Sequence, residues 1–166
     1  MSDTPFQPSQ MESLVSAMTA AMPPRTMQFF DAEMTTGQLV NSTKSLGLGR
    51  YRMGVLRYTV SLSWIGFPFR EYPPVLIYAH LLAWVYDHRN GLADELELSM
   101  PQIDPAFDHE LSADLVIDVE LADEITIAED PDGPILFQGK CWSPELPVIH
   151  TAKDFSLNVA RGGAND

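Results

Sequence analysis

Apolar and polar positions follow two different periods along this chain. Over residues 9–22, Met11, Leu14, Val15 and Met18 recur at helical spacing with Met22 just beyond, and Pro23 and Pro24 end the run. Ser9 suits the N-cap, because its hydroxyl can accept a bond from a free amide of the first turn. From Arg50 to Gly66 the period drops to two. Tyr58, Val60, Leu62 and Trp64 alternate with Arg57, Thr59, Ser61 and Ser63, which predicts the longest strand, with one apolar face. Ala113 to Ala128 predicts a second strand in the same way: Leu115, Ile117, Val119 and Leu121 face one side, and Val116, Asp118 and Glu120 the other.

Weaker patterns lie between these segments. Thr26 to Met34 holds the apolar patch Met27, Phe29 and Phe30 and predicts a short strand. Thr35 to Gly49, rich in Thr, Ser, Asn and Gly, predicts a surface loop. The proline-rich stretch after Phe67 leads into a helix over Pro74 to His88 that is apolar nearly all round, and that must lie on a sheet or under a neighbouring subunit. Residues 91–113 carry Pro101 and Pro105 and predict a partly extended connector, with a strand near Glu95 to Met100. Glu129 to Pro134 has turn composition, so Ile135 to Cys141 is expected to return as the hairpin partner of the strand before it. Pro144 and Pro147 interrupt the pattern, and Val148 to Val159 predicts a last strand or an arm.

This order predicts an α+β fold: a mixed, mainly antiparallel β-sheet flanked by helices in one domain. The domain spans 9–142, between a flexible N-terminus (1–8) and a C-terminal extension or arm (143–166) with a frayed end. A length of 166 residues and apolar and charged fractions of 45% and 20% fit a single globular unit.

Charge sharpens the picture. Gly91 to Gly139 contains no Lys or Arg but fourteen of the 23 acidic residues, whereas Arg25 to Arg89 holds seven of the 10 basic residues against four acidic ones. The first stretch is therefore near −14 and the second near +3. Such polarity predicts either two electrically unlike faces or a solvated acidic face that keeps the protein soluble. A net charge of −13 disfavours generic binding to duplex DNA or to anionic membranes. The most apolar segment, Val75 to Val85, is too short to span a bilayer, and the N-terminus lacks the pattern of a signal peptide, so a cytoplasmic chain is expected.

Candidate chemistry is thin. Gly47 and Gly49 begin a dinucleotide-type spacing, but Arg52 occupies the third glycine position, which leaves turn glycines. Asp108, His109 and Glu110, with Asp114 and Asp118 behind them, form the most metal-like cluster, yet their spacing matches no calcium loop; a solvated connector explains them better than a metal-dependent enzyme using Asp108, His109 and Asp114. His80 reads as a hydrogen-bonded core residue, His88 and His150 lack adjacent catalytic partners, and Cys141, the single cysteine, reads as an inert strand thiol beside Trp142. No catalytic residue, metal ligand or cofactor is assigned. The candidate site residues are instead a basic subunit-interface patch, Arg50, Arg52 and Arg57, and an acidic interface or lumen face, Asp114, Asp118, Glu120, Asp123 and Glu124.

Several local sequences, taken in order, resemble the tail completion protein R family of P2-like contractile-tailed phages. They are Arg57-Tyr58-Thr59 opening a strand that ends in Trp64-Ile65-Gly66, the apolar helix with Leu82-Ala83-Trp84, and Ala113 through Leu121 running on by Glu124 to Asp132-Gly133. The resemblance covers roughly residues 10–140 and includes no catalytic motif. It implies a virion structural protein of the tail and neck, assembled in the host cytoplasm, with a tail-terminator-like fold. Such subunits form a homo-oligomeric, usually hexameric ring at the head-proximal end of the tail tube. The ring stops polymerisation of the tail tube protein, meets the tail sheath protein, and joins the tail to the head–tail connector proteins. DNA passes through the channel without specific binding. Within such a ring the arginines of one subunit would meet the carboxylates of the next, or the carboxylates would line the channel and repel DNA. Two other readings are a different neck protein, a connector or stopper, and an acidic DNA-mimic inhibitor.

Overall fold

The computed structural model describes residues 8–104 and 113–145. Helix α1 (Gln10–Ala21) begins where the sequence predicts it, with the Ser9 hydroxyl accepting from the Glu12 amide at 3.0 Å. A 3₁₀ turn over Pro24–Met27 follows, then strand β1 (Phe30–Gly47), strand β2 (Arg50–Phe67) and helix α2 (Val75–His88). The short helix α3 (Leu92–Glu95) and strand β3 (Gln102–Ile103) precede β4 (Ala113–Glu129), β5 (Ile135–Phe137) and β6 (Lys140–Glu145). All strand pairs are antiparallel, in the order β1-β2-β4-β6-β5, with β3 also pairing β4.

The alternation read from the sequence sets the two faces of this sheet. Tyr58, Val60, Leu62 and Trp64 on β2 stand opposite Leu121, Val119, Ile117 and Leu115 on β4, and all eight are buried. Onto them pack Met11, Leu14, Val15 and Met18 of α1 and Ile77, Leu81, Trp84 and Val85 of α2, forming the main core. Burying each such side chain contributes about 1.5–3 kcal/mol, so this face dominates the stability of the fold. The two helices touch through Trp84, whose indole N–H donates to the Ser13 hydroxyl at 3.0 Å. A smaller core lies on the opposite face, where Leu92, Ala93 and Leu98 cover Val55 and Ala122.

Five expectations change. Thr35 to Gly49 is not a loop: it forms most of β1, an edge strand whose Thr and Ser side chains are polar because they face solvent. Leu48 and Gly49, at φ 55° and 75°, make the two-residue turn into β2, the left-handed pair that such hairpins require. The strand expected from Thr26 instead begins at Phe30, after the 3₁₀ turn. Residues 95–100 hold the end of α3 and no strand, and the extended piece lies further on at Gln102–Ile103. The strand that returns along β4 is β6, through Glu129↔Trp142 to Thr126↔Glu145, while β5 pairs only with β6. Pro144 fits there because β5 reaches no further than Trp142, so one side of β6 has no strand partner among the described residues at that point. Finally, His80 is half-buried with no hydrogen-bond partner among the described residues, rather than a bonded core group.

Among the described residues, helix α2 is covered on one side. Val75, Ala79, Ala83 and Tyr86 are exposed and share its outer face, with Leu82 half-buried beside them. Asp108, His109 and Glu110 and the predicted strand or arm at 148–159 lie outside the described residues.

Candidate functional site

The segregated charges of the sequence meet across one pair of strands. On the face of the sheet away from α1 and α2, β2 presents Arg57, Thr59, Ser61 and Ser63 opposite Ala122, Glu120, Asp118 and Val116 of β4. Long side chains reach diagonal neighbours across an antiparallel pair, and the arginines do so here. Arg57, opposite Ala122, contacts Glu120 at 3.3 Å. Arg52, opposite Thr126, contacts Glu124 at 2.9 Å and approaches Glu95 at 4.0 Å. Arg50 reaches one strand further and bonds Glu145 through Nε at 2.9 Å.

These three contacts differ in kind. The Arg52 side chain is only 10% exposed, and it also donates to the Ser42 carbonyl at 3.0 Å and to the Ser42 hydroxyl at 2.7 Å. It is a buried charge fully supplied with acceptors, so losing any of them would be expensive. The Arg50–Glu145 pair is more open; its hydrogen bond holds the Glu145 carboxyl below the usual range and raises Arg50 further. Glu120 accepts from the Ser99 amide at 2.9 Å as well as from Arg57, tying the chain beyond α3 to the sheet.

The predicted acidic set divides by strand parity. Asp114, Asp118, Glu120 and Glu124 lie on the face that carries the arginines, and Asp114 accepts from the Gly66 amide at 3.0 Å. Asp123 has the opposite parity and lies on the helix side, opposite Leu56. There its carboxylate accepts from the Gln10 amide at 3.0 and 3.2 Å and from the Tyr58 hydroxyl at 2.5 Å, while the Tyr58 oxygen accepts from the Met11 amide at 3.0 Å. Asp123 thus caps α1 from another strand, where a carboxylate also suits the helix dipole. Burial raises its pKa, against the lowering effect of those bonds, and burial beside Asp123 raises that of Tyr58. Gln10 extends the junction: its side chain donates to the His88 carbonyl and accepts from the Asn90 amide.

Two carboxylates that the charge segregation had not singled out join the outer face. Asp31 and Glu33 of β1 stand opposite Ser63 and Ser61, so Glu33, Ser61 and Asp118 form one row across three strands. Asp31, Glu33 and Asp118 have no cationic partner among the described residues. Register counting along β1 would have found them, but only once that segment is known to be a strand.

Among the described residues, no three His, Cys, Asp or Glu side chains come together as a metal would require. Cys141 is a free, half-buried thiol in β6. No helix among the described residues is long and apolar enough to cross a membrane. An antiparallel sheet backed by two helices, with Arg50, Arg52 and Arg57 bonded inside the chain and a polar outer face, defines a protein whose distinctive features are surfaces for contact. Residues 9–146 match the model of P2 phage tail completion protein R (GpR), and the chain belongs to that family. It is thus a phage tail completion protein, a structural component of the virion tail. No curated protein and no solved structure matches the chain.

Proposed function

We propose that the protein is a tail terminator, which forms a ring at the head-proximal end of the tail tube, stops tube polymerisation and joins the tail to the head connector. The match to the tail completion family over most of the chain carries this reading. Two surfaces support a ring. The outer stripe of α2, with Val75 and Tyr86 61% and 71% exposed, is apolar enough to bury against a neighbour, and the outer edge of β1 has no strand beside it among the described residues. A heterologous ring needs two different patches on each subunit, and these qualify.

Internal pairing of Arg50, Arg52 and Arg57 alters the assignment of charge within such a ring. Asp31, Glu33, Asp114 and Asp118 on the outer face have no cationic partner among the described residues, and this face is proposed to border the DNA path. Repulsion between carboxylates and phosphates would keep DNA from adhering as it passes. The tail tube, tail sheath and head–tail connector proteins are the proposed partners on the remaining surfaces.

Electron microscopy and native mass measurement of the purified protein test the proposal. A closed ring, and the same ring capping tail tubes, is the expected result. A strict monomer that never binds tubes would overturn it. Density one layer above the tube, at the portal, would reassign the protein as a connector or stopper.

A further inference from the structure

The two ends of β1 carry features that complement each other when the strand is turned end for end. On the outer face, Asp31 and Glu33 stand near its start, opposite Ser63 and Ser61, and Lys44 stands near its end, opposite Arg52. Lys44 makes no ion pair or hydrogen bond among the described residues, and Asp31 and Glu33 have no cationic partner there. On the helix side, Leu39 is 74% exposed and Met34 38%, with Gly37 between them. A Cβ added at Gly37 would meet Leu56 and Met34 at 3.6 and 3.8 Å, ordinary contact distances, so an apolar shelf lies uncovered there.

Strand parity decides whether these features can meet in two copies. The β1–β2 register shifts once between Met34 and Thr36, leaving Thr35 as an extra residue. The next shift spans two β1 residues, Ser42 and Thr43, so Lys44 keeps the parity of Gln38 and Val40 on the outer face. Antiparallel pairing of β1 with β1 of a second copy, about a two-fold axis at Gln38, sets Gly37 opposite Leu39 and Thr36 opposite Val40. With Thr35 bulged, Met34 then falls opposite Asn41, and Asp31 opposite Lys44. Each pair joins residues of the same face, and each occurs twice. The helix layers are complementary as well. Phe30 and Ala32, at one end of β1, pack into the main core under α1 and α2, whereas Leu39 and Asn41, toward the other end, border an open apolar depression. Antiparallel pairing places the covered end of each copy beside the open end of the other, which keeps the helices apart.

We propose that β1 pairs with β1 of a second copy of this chain, joining the two sheets edge to edge. Asp31–Lys44 contacts at both ends fix the register. Each Leu39 lies over Gly37 of the other copy, against its Met34 and Leu56. The pair shelters a long exposed edge, which left open invites irregular association. It uses the same edge as the proposed ring, so pair and ring exclude each other there. A ring takes more copies than a pair, and mass action therefore leaves the pair as the form in dilute solution. The inference rests on register and charge within β1 and does not depend on the ring reading.

Cysteine trapping in the full-length protein carrying Cys141→Ser tests the register. Gln38→Cys lies on the axis and meets its own counterpart, so mild oxidation in dilute solution is expected to link most molecules in pairs. Thr36→Cys, on the same face, would stand about 13 Å from its counterpart and is expected to link few. Equal trapping at both positions, or none at Gln38→Cys, overturns the proposal. Charge exchange provides a test without thiols. Lys44→Asp and Asp31→Lys are each expected to weaken the dimer about tenfold in sedimentation, because both copies of the contact change at once. The double variant is expected to recover the native value, and one as weak as the single variants overturns the proposal. All four positions are exposed, so these variants are expected to fold. Rings that form without trapping at Gln38→Cys overturn the pairing and leave the ring reading intact. Dimers that trap there but never close into rings on tubes support the pairing and count against the ring.

Discussion

The Tyr58 hydroxyl lies 2.5 Å from a carboxylate oxygen of Asp123, sixty-five residues away in sequence, and through it β2, β4 and the start of α1 share one junction. Strand alternation delivers both residues to the helix side of the sheet, where each would be costly without a partner. Two amides of α1 complete their bonding, so the junction fixes where the helix begins.

Asp123→Ala is accordingly expected to destabilise the fold by about 2 kcal/mol, since it leaves a buried hydroxyl and a helix amide without an acceptor. For a chain of this length that corresponds to a fall in Tm of roughly 4–8 °C. Tyr58→Phe keeps the packing and the carboxylate and is expected to cost less, about 1 kcal/mol. Thermal melts of the two variants check the order as well as the size. Equal or inverted effects would remove the junction from its central role.

The pH dependence of that residue has a definite sign. Burial raises the folded-state pKa of Asp123 above its ordinary value of 3.8. Its protonated form therefore adds stability that is fully present below pH 3.8 and is lost as the pH rises through the folded value. The advantage of the native protein over Asp123→Asn is expected to be greater at pH 3.5 than at pH 7. Glu145 behaves oppositely: held low by Arg50, it contributes above its ordinary value of 4.5 and loses that contribution as the pH falls through its folded value. Urea titrations of Asp123→Asn and Glu145→Gln across this range should show slopes of opposite sign.

Arg52 and Arg25 offer a contrast between a buried and an exposed charge. Arg52→Ala strips partners from Ser42 and Glu124 and is expected to cost about 2–3 kcal/mol, with faster amide exchange concentrated in residues 40–54. Arg25→Ala removes a pair with Glu71 in which both side chains are largely in water, and is expected to change stability by no more than about 0.5 kcal/mol. Comparable losses from both would contradict the burial argument.

Gly54→Ala tests the close approach of β1 and β2. A Cβ there would lie 2.8 Å from the Val40 carbonyl oxygen, a backbone atom that moves only if the strands part. A loss of about 1–3 kcal/mol is expected from this overpacking. Chemical denaturation measures it, and a neutral outcome would mean that the hairpin has slack at this position.

Tyr86→Asp and Ala83→Asp address assembly. Both residues are exposed on α2, so stability is expected to stay within about 0.5 kcal/mol. The proposed ring should weaken or fail to form, because an unpaired charge would be buried at the contact. Native mass spectra of the variants give the answer directly. Intact rings would move the interface off this helix.

Local periodicity determined a good deal. Spacing at Met11 to Met18 and the cap at Ser9 defined α1, and alternation at Tyr58 to Trp64 and Leu115 to Leu121 assigned the core faces of two central strands. A side chain alternates or recurs according to backbone geometry alone, so these features need no knowledge of partners. The same alternation, continued from Leu121 to Asp123, places that carboxylate with the core, although composition groups it with its acidic neighbours.

Polar, exposed β1 had no such signal, because an edge strand with both faces largely in water has little apolar face to repeat. Long-range pairing was equally out of reach of local reasoning. The basic and acidic stretches look like two faces of a molecule when read along the chain. Only the adjacency of β2 and β4 turns them into a strip of neutralised pairs, leaving Asp31, Glu33, Asp114 and Asp118 on that face without a cationic partner among the described residues. Which strands become neighbours depends on burying both apolar faces under the same two helices, a property of the whole chain that no single segment encodes.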